Sequence, residues 1–267
     1  MKQRLLVAAI GVPLLLVILL VCPPWATTAL VCLIAGIAAY ELVKTACRAP
    51  AIPMYVLTIA SAVLIAACLP AYRRAVMADA VLLLFCLCFL AVRNFGTERA
   101  VPFADVCICM VGGVIFPLMY GCIALLRQVG QILVLMPFVI AFLGDSFSML
   151  GGSLFGKKKL APAVSPNKTW AGFWAGPVGS ALGMVLLGLI ERWVWRFDFP
   201  LWQLALIGAA TNIIGQLGDL TTSLVKREVG IKDYSRLFLT HGGMLDRFDS
   251  TLFIAPVLYA VFFWILG

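Results

Sequence analysis

Apolar runs of about twenty residues follow one another along this chain almost without a break. They fall at about 5–21, 26–45, 52–70, 76–92, 101–126, 131–150, 170–190, 201–224 and 248–266. About 20 apolar residues in a helix cross the ~30 Å hydrocarbon layer of a bilayer. Hydrophobic residues make up 63% of the chain, charged ones 12%, and the mean hydropathy is +1.07. A water-soluble domain of this length does not carry that balance. The expected fold is all-α: a polytopic integral membrane protein of about nine transmembrane helices. Pro13, Gly112, Gly113, Pro117 and Pro137 fit membrane helices, where neighbours re-satisfy the backbone. The run at 101–126 is long enough to tilt or bend. No connecting segment is long enough for a soluble domain, and no internal repeat is visible. Residues 1–100 form the N-terminal helices and 101–267 a C-terminal region with the charged motifs, within one membrane-embedded unit.

The amino terminus has the look of a leader, with Lys2 and Arg4 ahead of an apolar stretch, but Pro23 and Pro24 follow it. Cleavage sites want small residues, so an uncleaved first helix is the expectation. With the N-terminus cytoplasmic, fifteen of the twenty Lys/Arg residues face inward, leaving Arg73, Arg74, Arg127, Arg192 and Arg196 outside. That asymmetry obeys the positive-inside rule and turns the net charge of +8 toward anionic lipid and nucleotide. The nine cysteines contain no Cys-x-x-Cys pair, and most lie inside apolar runs as small hydrophobes.

Against this background the stretch from Gln216 to Asp249 stands out. It holds four aspartates, five Lys/Arg residues and the only histidine, although a charge beside hydrocarbon costs about 2.5–3.5 kcal/mol. The topology brings Asp145, Asp219, Asp246 and Asp249 to one depth, near the cytoplasmic boundary. Asp246 and Asp249 are three apart and share a helical face, as do Asp219, Ser223 and Lys226 or Arg227. Such carboxylates can share oxygen ligands around Mg²⁺, which keeps waters and binds substrate phosphates; whether one ion binds or two stays open. The alternative is a solvated network in which the aspartates pair with Arg247, Lys226 and their neighbours. Upstream, the Lys157–Lys159 triplet anchors its loop to anionic headgroups. Lys168 and Thr169 stand at the start of the seventh helix, where free amides and the dipole favour a phosphate. Ser165 or Asn167 as a plain helix cap is the competing reading. In His241-Gly242-Gly243 the glycines let backbone approach a ligand closely. His241 either donates to a phosphate or base, or orders the loop.

Ser223, Val225, Lys226, Arg227, Lys232, Asp233, Ser235, Phe238, His241, Gly242, Gly243, Met244, Asp246, Arg247, Phe248 and Asp249 together resemble the signature of the phosphatidate cytidylyltransferase (CDP-diacylglycerol synthase) family. Gly144-Asp145 and the stretch from Ser165 to Trp170 are similar to family features too. Two positions depart: Leu239 stands where Pro, Gly or Ser is usual, and Ala171 where many members carry Glu. The resemblance implies a bacterial inner-membrane enzyme of phospholipid biosynthesis. It would convert CTP and phosphatidate of the cytoplasmic leaflet to CDP-diacylglycerol and pyrophosphate with Mg²⁺. A homodimer is implied, and no nucleic-acid partner. On that basis Asp219, Asp246 and Asp249 are assigned chiefly to metal, with Asp145 auxiliary. Lys226 and His241 join the catalytic set; Lys168, Ser165, Thr169, Ser223, Arg227, Lys232 and Arg247 are assigned to substrate phosphates. The rivals are an ion-coupled transporter, which would place its charges near the midplane of repeated halves, and a polyprenyl-phosphate sugar-phosphate transferase.

Overall fold

The computed structural model describes residues 11–48, 51–194, 199–237 and 242–266. Within those residues every apolar run is a helix. In order they are α1 (Gly11–Val21), α2 (Pro24–Ala46), α3 (Ile52–Cys68), α4 (Arg73–Arg93), α5 (Phe103–Val129), α6 (Leu133–Phe155), α7 (Trp170–Val194), α8 (Leu201–Glu228) and α9 (Met244–Leu266). Six of them, α2, α4, α5, α6, α7 and α9, are long and apolar enough to cross a membrane, while α1 and α3 are apolar but shorter. Helix α8 buries Asn212, Gln216, Ser223 and Lys226 along its 28 residues. One feature departs from an all-α chain. Between α6 and α7 the strands β1 (Lys159–Ala161) and β2 (Ser165–Thr169) pair antiparallel. Pro162 and Pro166 cannot continue a helix, so this segment turns back on itself as a ribbon.

The chain forms two compact units. The first comprises Met1–Gln131 and Glu228–Phe248, the second Ile132–Arg227 and Asp249–Gly267. In the first, Val43, Met54, Leu83, Leu87, Val106 and Cys109 meet in a core drawn from α2, α3, α4 and α5. The long α5 contains a π-turn at Val111–Ile115, just before Pro117. Pro117 has no N–H for the Gly113 carbonyl one turn back. Ser61 Oγ of α3 lies 3.1 Å from that carbonyl, its one proton shared between it and the Asp79 carboxylate at 2.5 Å.

In the second unit α7 lies against α6 along Gly172, Gly179 and Gly183, where a Cβ would strike Ser148, Phe147 and Leu143. Small residues of this kind let membrane helices approach closely. Helix α8 repeats the device toward α9, with Gly215 and Gly218 against Ile254 and Phe253. A second proline problem is solved as in α5. Pro177 of α7 leaves the Phe173 carbonyl unserved, and Gln216 Nε2 donates to it at 3.0 Å. The same nitrogen donates to Asn212 Oδ1 at 2.8 Å, and Asn212 Nδ2 donates to the Ile140 carbonyl at 3.4 Å. Gln216→Leu should therefore lower stability by about 1–3 kcal/mol, the cost of a buried carbonyl left unmatched. Adding Pro177→Ala, which returns an N–H to Phe173, should recover part of that loss. Thermal unfolding of the purified protein in detergent compares the three.

Candidate functional site

Asp219, Ser223 and Lys226 are spaced four and three along α8 and share its inner face. Ser223 Oγ donates to Asp219 Oδ1 at 3.4 Å, and Lys168 Nζ lies 2.5 Å from Asp219 Oδ2. The ribbon delivers that lysine. Arg227 Nε donates to the Val164 carbonyl at 3.1 Å, so the turn of the ribbon is tied to the end of α8. Arg227 thereby holds protein backbone. At the other end of β2, Thr169 Oγ1 accepts the Gly172 N–H at 3.2 Å. Thr169 is therefore the cap of α7, where one of the two sequence readings of this stretch puts Ser165 or Asn167. Lys168 stands on the strand one residue before that cap, not in the helix.

A cavity of about 440 Å³ opens in this second unit. Asp145, Ser148, Lys159, Asn167, Lys168, Thr169, Phe173, Gln216 and Asp219 are on its wall. Ser165 is not. Asp249 is buried, with 8% of its surface exposed, and Lys226 is buried to a similar degree at 7%. The charges of Asp219 and Asp145 bear on Asp249 unfavourably and that of Lys226 favourably, while Asp249 Oδ1 accepts the Ser250 N–H at 2.7 Å. Three of the four predicted carboxylates thus share one electrostatic neighbourhood with two of the predicted cations.

The fourth is held separately. Phe248 (φ −118°, ψ 17°) breaks the helical backbone between Asp246 and Asp249, so the shared face expected from their spacing is interrupted. Asp246 belongs to the first unit. Its Oδ2 accepts N–H groups from Tyr234 at 2.8 Å and Gly243 at 2.9 Å. Gly242 has φ 78°, which favours glycine, and a Cβ there would meet the Asp246 carboxylate. A Cβ on Gly243 would overlap the Glu41 carboxylate. The paired glycines therefore admit two protein carboxylates, where the sequence led us to expect a ligand. Lys232 and Arg247 are exposed on this unit. His241 and Leu239 lie outside the described residues.

Sequence reasoning missed Lys159, Ser148, Gln216 and Glu41. Lys159 sits on the cavity because the ribbon pairs it with Thr169, a register that the lysine triplet does not disclose. Glu41 did leave a signal: it is a carboxylate in the middle of an apolar run, and such residues seldom lack a task.

The sequence model of the cytidylyltransferase family matches residues 2–265. Among curated proteins, the chain is 36% identical over 166 residues to a phosphatidate cytidylyltransferase of Staphylococcus saprophyticus and 34% identical over 166 residues to that of Staphylococcus haemolyticus. Each match covers 61% of this chain and 61% of the relative. A Staphylococcus epidermidis phosphatidate cytidylyltransferase is 40% identical over 132 residues, 49% of either chain. The chain thus spans about half to three fifths of the length of these bacterial relatives. A family pattern that runs nearly end to end settles the broader question, and the chain belongs to the cytidylyltransferase family.

Proposed function

We propose that this protein transfers the cytidylyl group of CTP to phosphatidate, giving CDP-diacylglycerol and pyrophosphate. The reading places it in a bacterial inner membrane with about nine spans, its N-terminus and cavity toward the cytoplasm, and two copies associated. The inward excess of basic residues supports that orientation. One observation carries the chemistry: Lys168 rests on Asp219 at the wall of a cavity that Asp145 shares, with Asp249 and Lys226 buried nearby.

The donor set suits Mg²⁺. Among the described residues no three His, Cys, Asp or Glu groups are drawn together as a ready ligand cage. Mg²⁺ asks for less, taking one or two carboxylates and completing its shell with water and substrate phosphate. Asp145 and Asp219 face one space, and the mutual repulsion they share with Asp249 is what a divalent cation offsets. When bound, the ion would screen the two anions from each other and polarise the α-phosphate.

The chain's own groups supply the rest. A phosphate monoester has a second pKa near ~6, so phosphatidate arrives largely as a dianion and needs no strong base. Its oxygen attacks the α-phosphorus as the bond to the β-phosphate oxygen breaks. Lys168 passes from Asp219 to the triphosphate, freeing the carboxylate, and Lys226 balances charge beneath. Lys159, on the rim, favours the anionic pyrophosphate. The purified protein in detergent, given CTP, Mg²⁺ and phosphatidate, should release pyrophosphate and label the lipid with cytidine. Omission of phosphatidate or addition of EDTA should stop both. A transporter would release no pyrophosphate, and that result would end this reading.

A further inference from the structure

A carboxylate that the reaction above does not use lies far from the signature in sequence and against it in space. Glu41 of α2 is 1% exposed, and a buried charge persists only where partners satisfy it. Its Oε1 accepts the Met244 N–H at 2.9 Å and the Ser235 hydroxyl at 2.5 Å, and its Oε2 accepts the Leu245 N–H at 2.8 Å. Met244 and Leu245 open α9, where the first amides have no partner inside the helix. Glu41 therefore caps that helix from another, with its charge at the favourable end of the dipole. Ser235 stands on the far side of the signature loop, and its hydroxyl also accepts the Leu237 N–H at 3.2 Å. Asp246 fastens the same loop through Tyr234 and Gly243. Two carboxylates, one from each end of the chain, form a clasp that holds Tyr234 and Ser235 on one side of the loop and Gly243, Met244 and Leu245 on the other.

We propose that Glu41 is a positioning residue for cytidylyl transfer. By holding this loop and the first turn of α9, it fixes the backbone that carries Asp246 and Arg247. The proposal rests on the reaction assigned above. Glu41→Gln puts an NH₂ where one of the three donors now finds an oxygen, and Ser235→Ala removes the hydroxyl's bonds to Glu41 and from the Leu237 N–H while leaving the helix cap. Misplacement of groups by about 1 Å can cost on the order of a hundredfold in rate. Glu41→Gln should accordingly lower kcat by about tenfold to a hundredfold with little change in KM for CTP, and Ser235→Ala by less, each with the loss in Tm that an unmatched polar group brings. Limited trypsin treatment supplies a readout that does not depend on turnover. Cleavage at Arg236, exposed in the loop, should accelerate in both variants, while cleavage at Lys157–Lys159 should not. General destabilisation would speed both sites equally. A folded Glu41→Gln protein with wild-type kcat and wild-type cleavage overturns the proposal. If Glu41→Gln does not fold, Ser235→Ala decides by the same two readings. A wild-type protein without turnover would sink the reaction itself. The cleavage pattern would still judge the clasp, selective cleavage supporting it and uniform cleavage overturning it.

Discussion

Asp219→Asn should lower turnover by about 10²–10³-fold while the protein inserts and purifies as the wild type does. The side chain keeps its shape and loses its charge, so the test is electrostatic. In the proposed metal-binding role, losing that charge forfeits several kcal/mol of transition-state stabilisation, at about 1.36 kcal/mol for each tenfold in rate. Folding should scarcely notice. Asp219 and Lys168 are 25% and 24% exposed in their side chains, and a pair so open to solvent contributes little to stability. Asp249→Asn should be as inactive, for a related reason. Burial itself weighs most against its charge, and Asp219 and Asp145 add repulsion, so neutralising it removes both costs and should leave Tm level or raised. Pyrophosphate release and thermal unfolding in detergent measure the two effects side by side. Wild-type activity in both variants would remove the metal from the mechanism.

Much of this was legible in the letters because hydrophobic burial in a bilayer is a property of composition. Among the described residues each apolar run is a helix, and the run that includes Gly112, Gly113 and Pro117, expected only to tilt or bend, contains a π-turn. The grouping of Asp219 with Ser223 and Lys226 followed from helical period alone. Periodicity failed where the backbone left the regular state. Phe248 breaks the register between Asp246 and Asp249, a local conformation that no residue type there announces. The ribbon before α7 moved the cap from Ser165 or Asn167 to Thr169 and brought Lys159 to the cavity. Strand register at that scale depends on the turn between Pro162 and Pro166, and spacing rules for helices say nothing of it. Glu41 shows a different limit. Its place in an apolar run marks it as purposeful, but its partners, Ser235, Met244 and Leu245, are set by tertiary packing.

Asp246 separates two tasks that one carboxylate can perform, and a pair of substitutions will part them. Its Oδ2 accepts the Tyr234 and Gly243 amides, work that a neutral carbonyl oxygen can still do. Asp246→Asn keeps that acceptor and loses the charge. Asp246→Ala loses both, leaving two amides unmatched at about 1–3 kcal/mol each where they are shielded from water. If the charge serves a metal or the phosphates around it, Asn should be nearly as inactive as Ala, at least about a hundredfold below wild type. The Asn protein should nonetheless keep wild-type resistance to trypsin at Arg236, and the Ala protein should lose it. If the carboxylate serves only the loop, Asn should retain most of the activity and Ala little. Wild-type kcat in Asp246→Asn would leave the metal to Asp145, Asp219 and Asp249, and Asp246 would join Glu41 as a fastening of the signature loop.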